Sequence, residues 1–144
     1  MVKKNIRPMS EIIKQIDSFS GLKRFFIAGT ISEPTLHPEF FEFIEHLNKK
    51  DITYEIYTNA SCHSNDWWEQ LGKLVLEKCK TIFTVCGSTQ ELHEKYRVGS
   101  KLEDVLEHAK HYRLNNRHND YVQHILFEYN KEDYYNGNMT GILK

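Results

Sequence analysis

The chain has 144 residues, with 19 Lys and Arg against 20 Asp and Glu and a formal charge of −1. That length suits one domain, residues 1–144, with a core of its own, and the balanced charge argues against a broad nucleic-acid surface. No apolar stretch reaches the roughly 20 residues of a membrane-spanning helix. The basic residues 1–10 lack the apolar segment of a signal peptide, so a cytoplasmic location is the expectation.

In chain order, the hydrophobic spacing alternates between helical and extended segments. Ile12, Ile13, Ile16 and Phe19 recur at helical spacing after Pro8, Met9 and Ser10. Residues 22–28 form a short apolar run that predicts a buried strand. Residues 38–48 predict a helix, with Pro38 in its first turn and Phe40, Phe43, Ile44 and Leu47 on one face. Residues 52–57 predict a second strand. Residues 66–77 predict a helix with Trp68, Leu71 and Val75 on one stripe, and residues 81–85 a third strand. Ser88 and Ser100 each precede a glutamate by three positions, Glu91 and Glu103, which is the spacing of a capping box. The first box predicts a short helix. The second predicts a longer one with Leu102, Val105, Leu106 and Ala109 inward. Residues 121–129 predict the last strand, and the chain from Lys131 a frayed or helical tail.

Strands joined by helical crossovers imply a parallel sheet covered by helices. Four such strands suit part of a Rossmann-like sheet or part of a barrel. In parallel α/β folds ligands bind at the carboxyl ends of the strands. Here those ends read Gly29 to Pro34, Thr58 to Ser61, Cys86 to Ser88 and Glu128 to Asn130. Each is small, polar or glycine-bearing, as a site for one small polar ligand requires, although Gly, Asn and Ser are also ordinary turn residues.

Other candidates carry less. The three cysteines, Cys62, Cys79 and Cys86, are odd in number and widely spaced, neither a disulfide framework nor a zinc pattern. His108 and His111 share a helical face, and a solvated face is favoured over a metal pair. His37 suits a turn or capping role. Ser61 and His63 have no acid placed to orient them. Of Trp67 and Trp68, one is expected to be partly exposed. No glycine-rich phosphate loop is present.

Four segments in order resemble the radical S-adenosylmethionine (radical SAM) family, in its SPASM and peptide-modifying members. GTISEPTLHP, residues 29–38, resembles the family's GGEP-type loop, and YTNA, residues 57–60, its TNG strand end. CGSTQELHEKYRVGS, residues 86–100, resembles a DG…THExYRxGS stretch, and HILFEYNKED, residues 124–133, the fifth-strand segment. The resemblance covers nearly all of the chain after Gly21. It implies a partial (β/α) barrel with parallel strands and helical crossovers. It also implies S-adenosylmethionine (SAM) and a [4Fe-4S] cluster, where reductive cleavage of SAM starts radical chemistry on a substrate. By resemblance the SAM-binding residues are Gly29, Thr30, Ser32, Glu33, Pro34, Thr58, Asn59, Cys86, Ser88 and Arg97. Glu33 is expected to orient its loop, and Arg97 to meet a carboxylate through its planar fork.

The sequence departs from the family at definite points. It contains no CxxxCxxC, so it supplies no cluster ligands and no metal site is assigned. Ser32 and Ala60 stand where the family has glycine, positions where a positive φ strains a side chain, and Cys86 stands where an acidic residue is usual. The expected architecture is therefore a barrel core whose first strand and cluster loop are missing, an internal fragment inactive by itself. Its expected partners are SAM and a second chain or N-terminal segment carrying the cluster. Two alternatives stand beside it: a non-catalytic α/β binding or interaction module reusing the scaffold, and an unrelated TIM-barrel or Rossmann fragment.

Overall fold

A computed structural model of the chain describes residues 6–29, 32–117 and 120–143. Its elements in order are α1 (Met9–Asp17), β1 (Arg24–Ile27), α2 (Phe40–Lys49), β2 (Thr53–Thr58), α3 (Asn65–Leu74), β3 (Lys80–Thr84), α4 (Gln90–Tyr96), α5 (Leu102–Arg113), β4 (Asp120–Gln123) and α6 (Lys131–Tyr135). The four strands form one sheet in the order β1-β2-β3-β4, and every pair is parallel. Right-handed crossovers between consecutive neighbours put all the connecting helices on one face. Accordingly α1 packs on α2, α2 on α3 and α3 on α5. The fold is thus α/β with a four-stranded parallel sheet, and the sheet is open rather than closed into a barrel.

Burial follows the strand period of two. Along β2, Tyr54, Ile56 and Thr58 are buried against the helices, while Thr53, Glu55 and Tyr57 face the other side and are half-buried. The register extends both rows across the sheet. Phe25, Ile27, Thr81 and Phe83 join the helix side, and Arg24, Phe26, Lys80, Ile82, Thr84, Tyr121 and Gln123 the open side. The core between sheet and helices holds Trp68, Tyr54, Tyr112, Phe83, Leu47 and Leu71, all essentially without solvent contact. Two asparagines close the end of α3: Asn48 Nδ2 donates to the Leu74 carbonyl at 2.9 Å and Asn116 Nδ2 to the Val75 carbonyl at 2.8 Å.

The seam between α3 and α5 depends on Gly72. A Cβ there would lie 2.3 Å from the backbone oxygen of Tyr112. Backbone cannot swing aside as a flexible side chain can, so Gly72→Ala is expected to cost about 1–3 kcal/mol in chemical denaturation, the range of core overpacking. At the rim of the same seam, His111 Nδ1 lies 2.7 Å from Glu69 and Nε2 3.2 Å from Glu107. The hydrogen bond to Glu69 raises the His111 pKa; burial opposes it and the bond to Glu107 adds to it. A raised folded-state pKa stabilises fully below the unfolded value of about 6.5 and fades as pH rises through the folded value. His111→Gln should therefore cost more stability at about pH 5.5 than at about pH 8.5; an equal cost at both would show that the charge contributes nothing.

Several sequence expectations are corrected. Phe19 lies beyond the end of α1 and is 60% exposed, because the turn at Ser18 takes it off the apolar face. The run over 22–28 forms a strand at the sheet's edge, not a buried one, with Phe26 56% exposed. Pro38 does not begin α2: Pro34 opens a 3-10 turn over Pro34–Leu36, and α2 starts at Phe40. Neither capping box forms. Ser88 is engaged by Asp133, so Thr89 caps α4, and Ser100 meets His93 Nε2 at 3.1 Å. The start of α5 is held instead by Gln90, whose Oε1 accepts from the Leu102 N–H at 2.7 Å.

The last strand stops at Gln123 rather than at Tyr129. Asn130 replaces the ladder beyond it: its Oδ1 accepts from the Phe127 N–H at 2.6 Å, and its Nδ2 donates to the carbonyls of Cys86 and Ile125 at 3.0 and 2.9 Å. His108 is buried, not solvated; its Nδ1 donates to the Ala60 carbonyl at 2.7 Å and its ring stacks on Trp68.

Candidate functional site

The carboxyl ends of the four strands surround an open pocket of about 380 Å³. Its wall takes Ala28, Gly29, Ser32 and Glu33 from the loop after β1, Tyr57, Thr58 and Asn59 from β2, Thr84 from β3, Tyr96 and Arg97 from the end of α4, and Gln123 and Ile125 from β4 and beyond. A parallel sheet builds this place because every strand ends on the same rim and each following loop is free of ladder pairing.

Glu33 fastens two of those loops together. Its Oε1 accepts from the Thr35 N–H at 3.3 Å and from the hydroxyls of Thr35 and Thr58, both at 2.8 Å. Its Oε2 accepts from the Asn59 N–H at 2.8 Å. With four donors on one carboxylate, Glu33 positions the backbone of both loops. Thr58 passes the connection on, its Oγ1 accepting from the Ala60 N–H at 2.9 Å, and Asn59 Oδ1 holds Ser61. His63 Nε2 donates to the Thr35 carbonyl at 2.8 Å, and the ring stacks on Trp67 at 4.0 Å. The pairing of Ser61 with His63 is absent: each serves its own turn. His37 likewise joins a turn, accepting from the Glu39 N–H and donating to the Arg7 carbonyl.

Glycine is required at Gly29, where a Cβ would lie 1.6 Å from the Ser32 carbonyl oxygen. The backbone of residues 29 and 32 is therefore in direct approach at the pocket wall. Ala60 has a positive φ, at 49°. The strain expected where the resembled family has glycine is thus found at Ala60.

Arg97 lines the pocket with its guanidinium 5.1 Å from the Tyr96 ring, and its buried Nε has no hydrogen-bond partner. The guanidinium reaches the Cys86 thiol and opposes the effect of burial on it, while the Nε keeps a donor that an anion in the pocket could meet. Tyr57 donates to Glu55 at 2.9 Å, a bond that raises the Tyr57 pKa and keeps the phenol neutral.

Of the residues singled out by sequence, Gly29, Ser32, Glu33, Thr58, Asn59 and Arg97 come together in the pocket wall. Thr30 lies outside the described residues. Pro34 faces a separate apolar cleft beside β1. Cys86 is fully buried, its N–H donating to His93 Nδ1 at 3.2 Å. Ser88 gives its N–H to Asp133 at 2.7 Å and its hydroxyl to the same carboxylate. Burial alone would raise the Asp133 pKa; the Ser88 hydroxyl and amide outweigh it and bring the pKa below the ordinary value. Sequence reasoning missed Ala28, Tyr57, Thr84, Tyr96, Gln123 and Ile125. Strand alternation carries the signal for Tyr57 and Thr84, which face opposite to their buried neighbours. Gln123 was hidden by reading the strand six residues too far.

The cysteines do not suit an iron–sulfur cluster. Cys79 and Cys86 stand at opposite ends of β3, about 20 Å apart at strand rise. Burial pushes the thiol pKa up at Cys62 and at Cys86, against the thiolate a cluster needs. Among the described residues no three His, Cys, Asp or Glu side chains gather as a metal site would require. No helix among them is long and apolar enough to cross a membrane. No family model, curated protein or solved structure matches the chain.

Proposed function

We propose that the chain is a SAM-binding module of radical SAM type, a portion of a (β/α) barrel that does not cleave SAM by itself. One observation carries the reading: six of the ten residues selected by resemblance converge on one pocket, among them Arg97, whose Nε has no hydrogen-bond partner. The volume falls within the usual range for small-molecule sites. The backbone at Gly29 and Ser32 faces the ammonium of the ligand, Thr58 and Asn59 its ribose or methionine portion, and Arg97 its carboxylate. Glu33 keeps the first two sets in register.

The [4Fe-4S] cluster of the family finds no ligand set in this sequence, so a second chain or an N-terminal segment would carry the cluster for SAM cleavage to occur. The cytoplasm, where such clusters and SAM are at hand, is the location that accompanies this reading. The divergent cysteines equally favour a second reading, a non-catalytic module that has kept the scaffold.

Anaerobic calorimetry with SAM tests the first reading. Saturable binding is expected, and Arg97→Gln should weaken it about tenfold, or 1.4 kcal/mol. Absence of binding by a folded chain would remove the SAM assignment and leave the scaffold reading. Iron retained stoichiometrically by the chain after reconstitution would overturn the statement that it lacks cluster ligands.

A further inference from the structure

We infer that two copies of this chain join edge to edge into a closed, eight-stranded parallel sheet, β4 of each copy lying beside β1 of the other. The inference comes from the two sheet edges and does not depend on the SAM reading. Among the described residues, β1 pairs only with β2 and β4 only with β3. The Thr53 N–H donates to the Lys23 carbonyl. Backbone groups alternate sides along a strand, so those of Phe25 and Ile27 face β2 while those of Arg24 and Phe26 point outward. Likewise the Val85 N–H donates to the Gln123 carbonyl, which leaves the groups of Asp120 and Val122 pointing outward. Each edge is an open parallel ladder, a liability unless covered.

The side chains at the two edges are complementary. On the open face β1 ends in Phe26, 56% exposed; on the helix side it borders an apolar cleft of about 280 Å³ between Met9, Ile12, Phe40 and Phe43. At the other edge, β4 exposes Tyr121 on the open face and Val122 on the helix side. Pairing Val122 with Phe25 of the other copy keeps both alternations intact and sets Val122 against the cleft. It puts Tyr121 beside Arg24 and Gln123 beside Phe26. The same register brings the Asp120 carboxylate, which already meets Arg113 at 3.0 Å, alongside Lys23, so opposite charges face each other across the seam.

Closure follows from area and count. A stable dimer buries about 1,200–2,000 Å², and a single seam between four-residue strands is short for that. A two-fold arrangement makes the seam twice, and eight parallel strands are the number that closes a barrel around its own side chains. All connecting helices already lie on one face, so closure leaves them outside and encloses the open face with its Glu55–Lys80 ion pair. Head-to-tail contacts that fail to close would grow instead into filaments.

Sedimentation equilibrium of the full chain tests this, with twice the chain mass expected across a concentration series. Val122→Pro removes an outward N–H and no bond to β3, and should give the single-chain mass with an unchanged far-ultraviolet spectrum. In a Cys62→Ser background, a mixture of Phe26→Cys and Gln123→Cys chains should form a disulfide-linked pair, and Phe26→Cys alone should not. The cross-linking leaves the edge backbones intact, so it decides the matter even if the proline variant fails to fold. A single-chain mass at every concentration, masses growing beyond two, or a link between two Phe26→Cys chains would each overturn the inference.

Discussion

Trp68→Ala should lower the unfolding free energy by about 3–5 kcal/mol, the range for removing a large aromatic side chain from a core. Trp68 has no solvent contact. Its ring meets Phe83 of β3 at 5.8 Å and stacks on His108 of α5 at 5.7 Å, so sheet and helices share it. Its Nε1 donates to the Cys62 carbonyl at 2.9 Å, which ties α3 to the loop after β2. Truncation would leave a cavity under the sheet and an unpaired carbonyl beside the pocket. Trp68→Phe keeps most of the volume and should lose distinctly less. Urea denaturation of both variants checks the order; equal losses would mean that the hydrogen bond, and not the packing, accounts for the effect.

Glu33→Ala should cost about 2–3 kcal/mol, because hydrogen bonds to a charged acceptor are worth roughly twice neutral ones and their loss leaves part-buried donors unsatisfied. Four donors from Thr35, Thr58 and Asn59 converge on this carboxylate. The more telling variant is Glu33→Gln. An amide has one acceptor oxygen and one donor nitrogen; with the oxygen toward the Asn59 N–H, its NH₂ can donate to the Thr35 and Thr58 hydroxyls, which turn to accept, and only the Thr35 N–H is left facing a donor. Glu33→Gln should therefore be distinctly less damaging than alanine, and Glu33→Ala should abolish ligand binding at the pocket by releasing the loop after β1 from the end of β2. Stability measurements paired with SAM calorimetry separate the outcomes. An alanine variant of native stability would show that the four contacts contribute little.

The residues that determined their structure by sequence alone are those whose period matches their surroundings. Ile52 to Tyr57 alternates, and Tyr54 and Ile56 are fully buried while Tyr57 faces the pocket. Trp68, Leu71 and Val75 recur on one stripe, and all three lie in the core. The order of strands and helices then implied a parallel sheet covered by helices; the strand order β1-β2-β3-β4, which puts them on one side, came only from the tertiary structure. Gly29 and Glu33 were also legible, a glycine and an acid in a loop at a strand end.

Only the tertiary structure decided where side chains outcompete local signals. Ser88 and Ser100 have the spacing of helix caps, yet Asp133 and His93, distant or on another turn, take their hydroxyls. The apolar run from Tyr121 reads as one strand, but three hydrogen bonds from Asn130 end the ladder at Gln123. Local spacing carries no record of such partners, because a hydrogen bond between distant segments depends on where the chain returns. For the same reason the sequence marked Cys86 and Ser88 as facing a ligand, while the fold turns one into the interior and gives the other to a carboxylate. Arg97 became the most informative residue of the pocket only when its buried Nε was found without a partner.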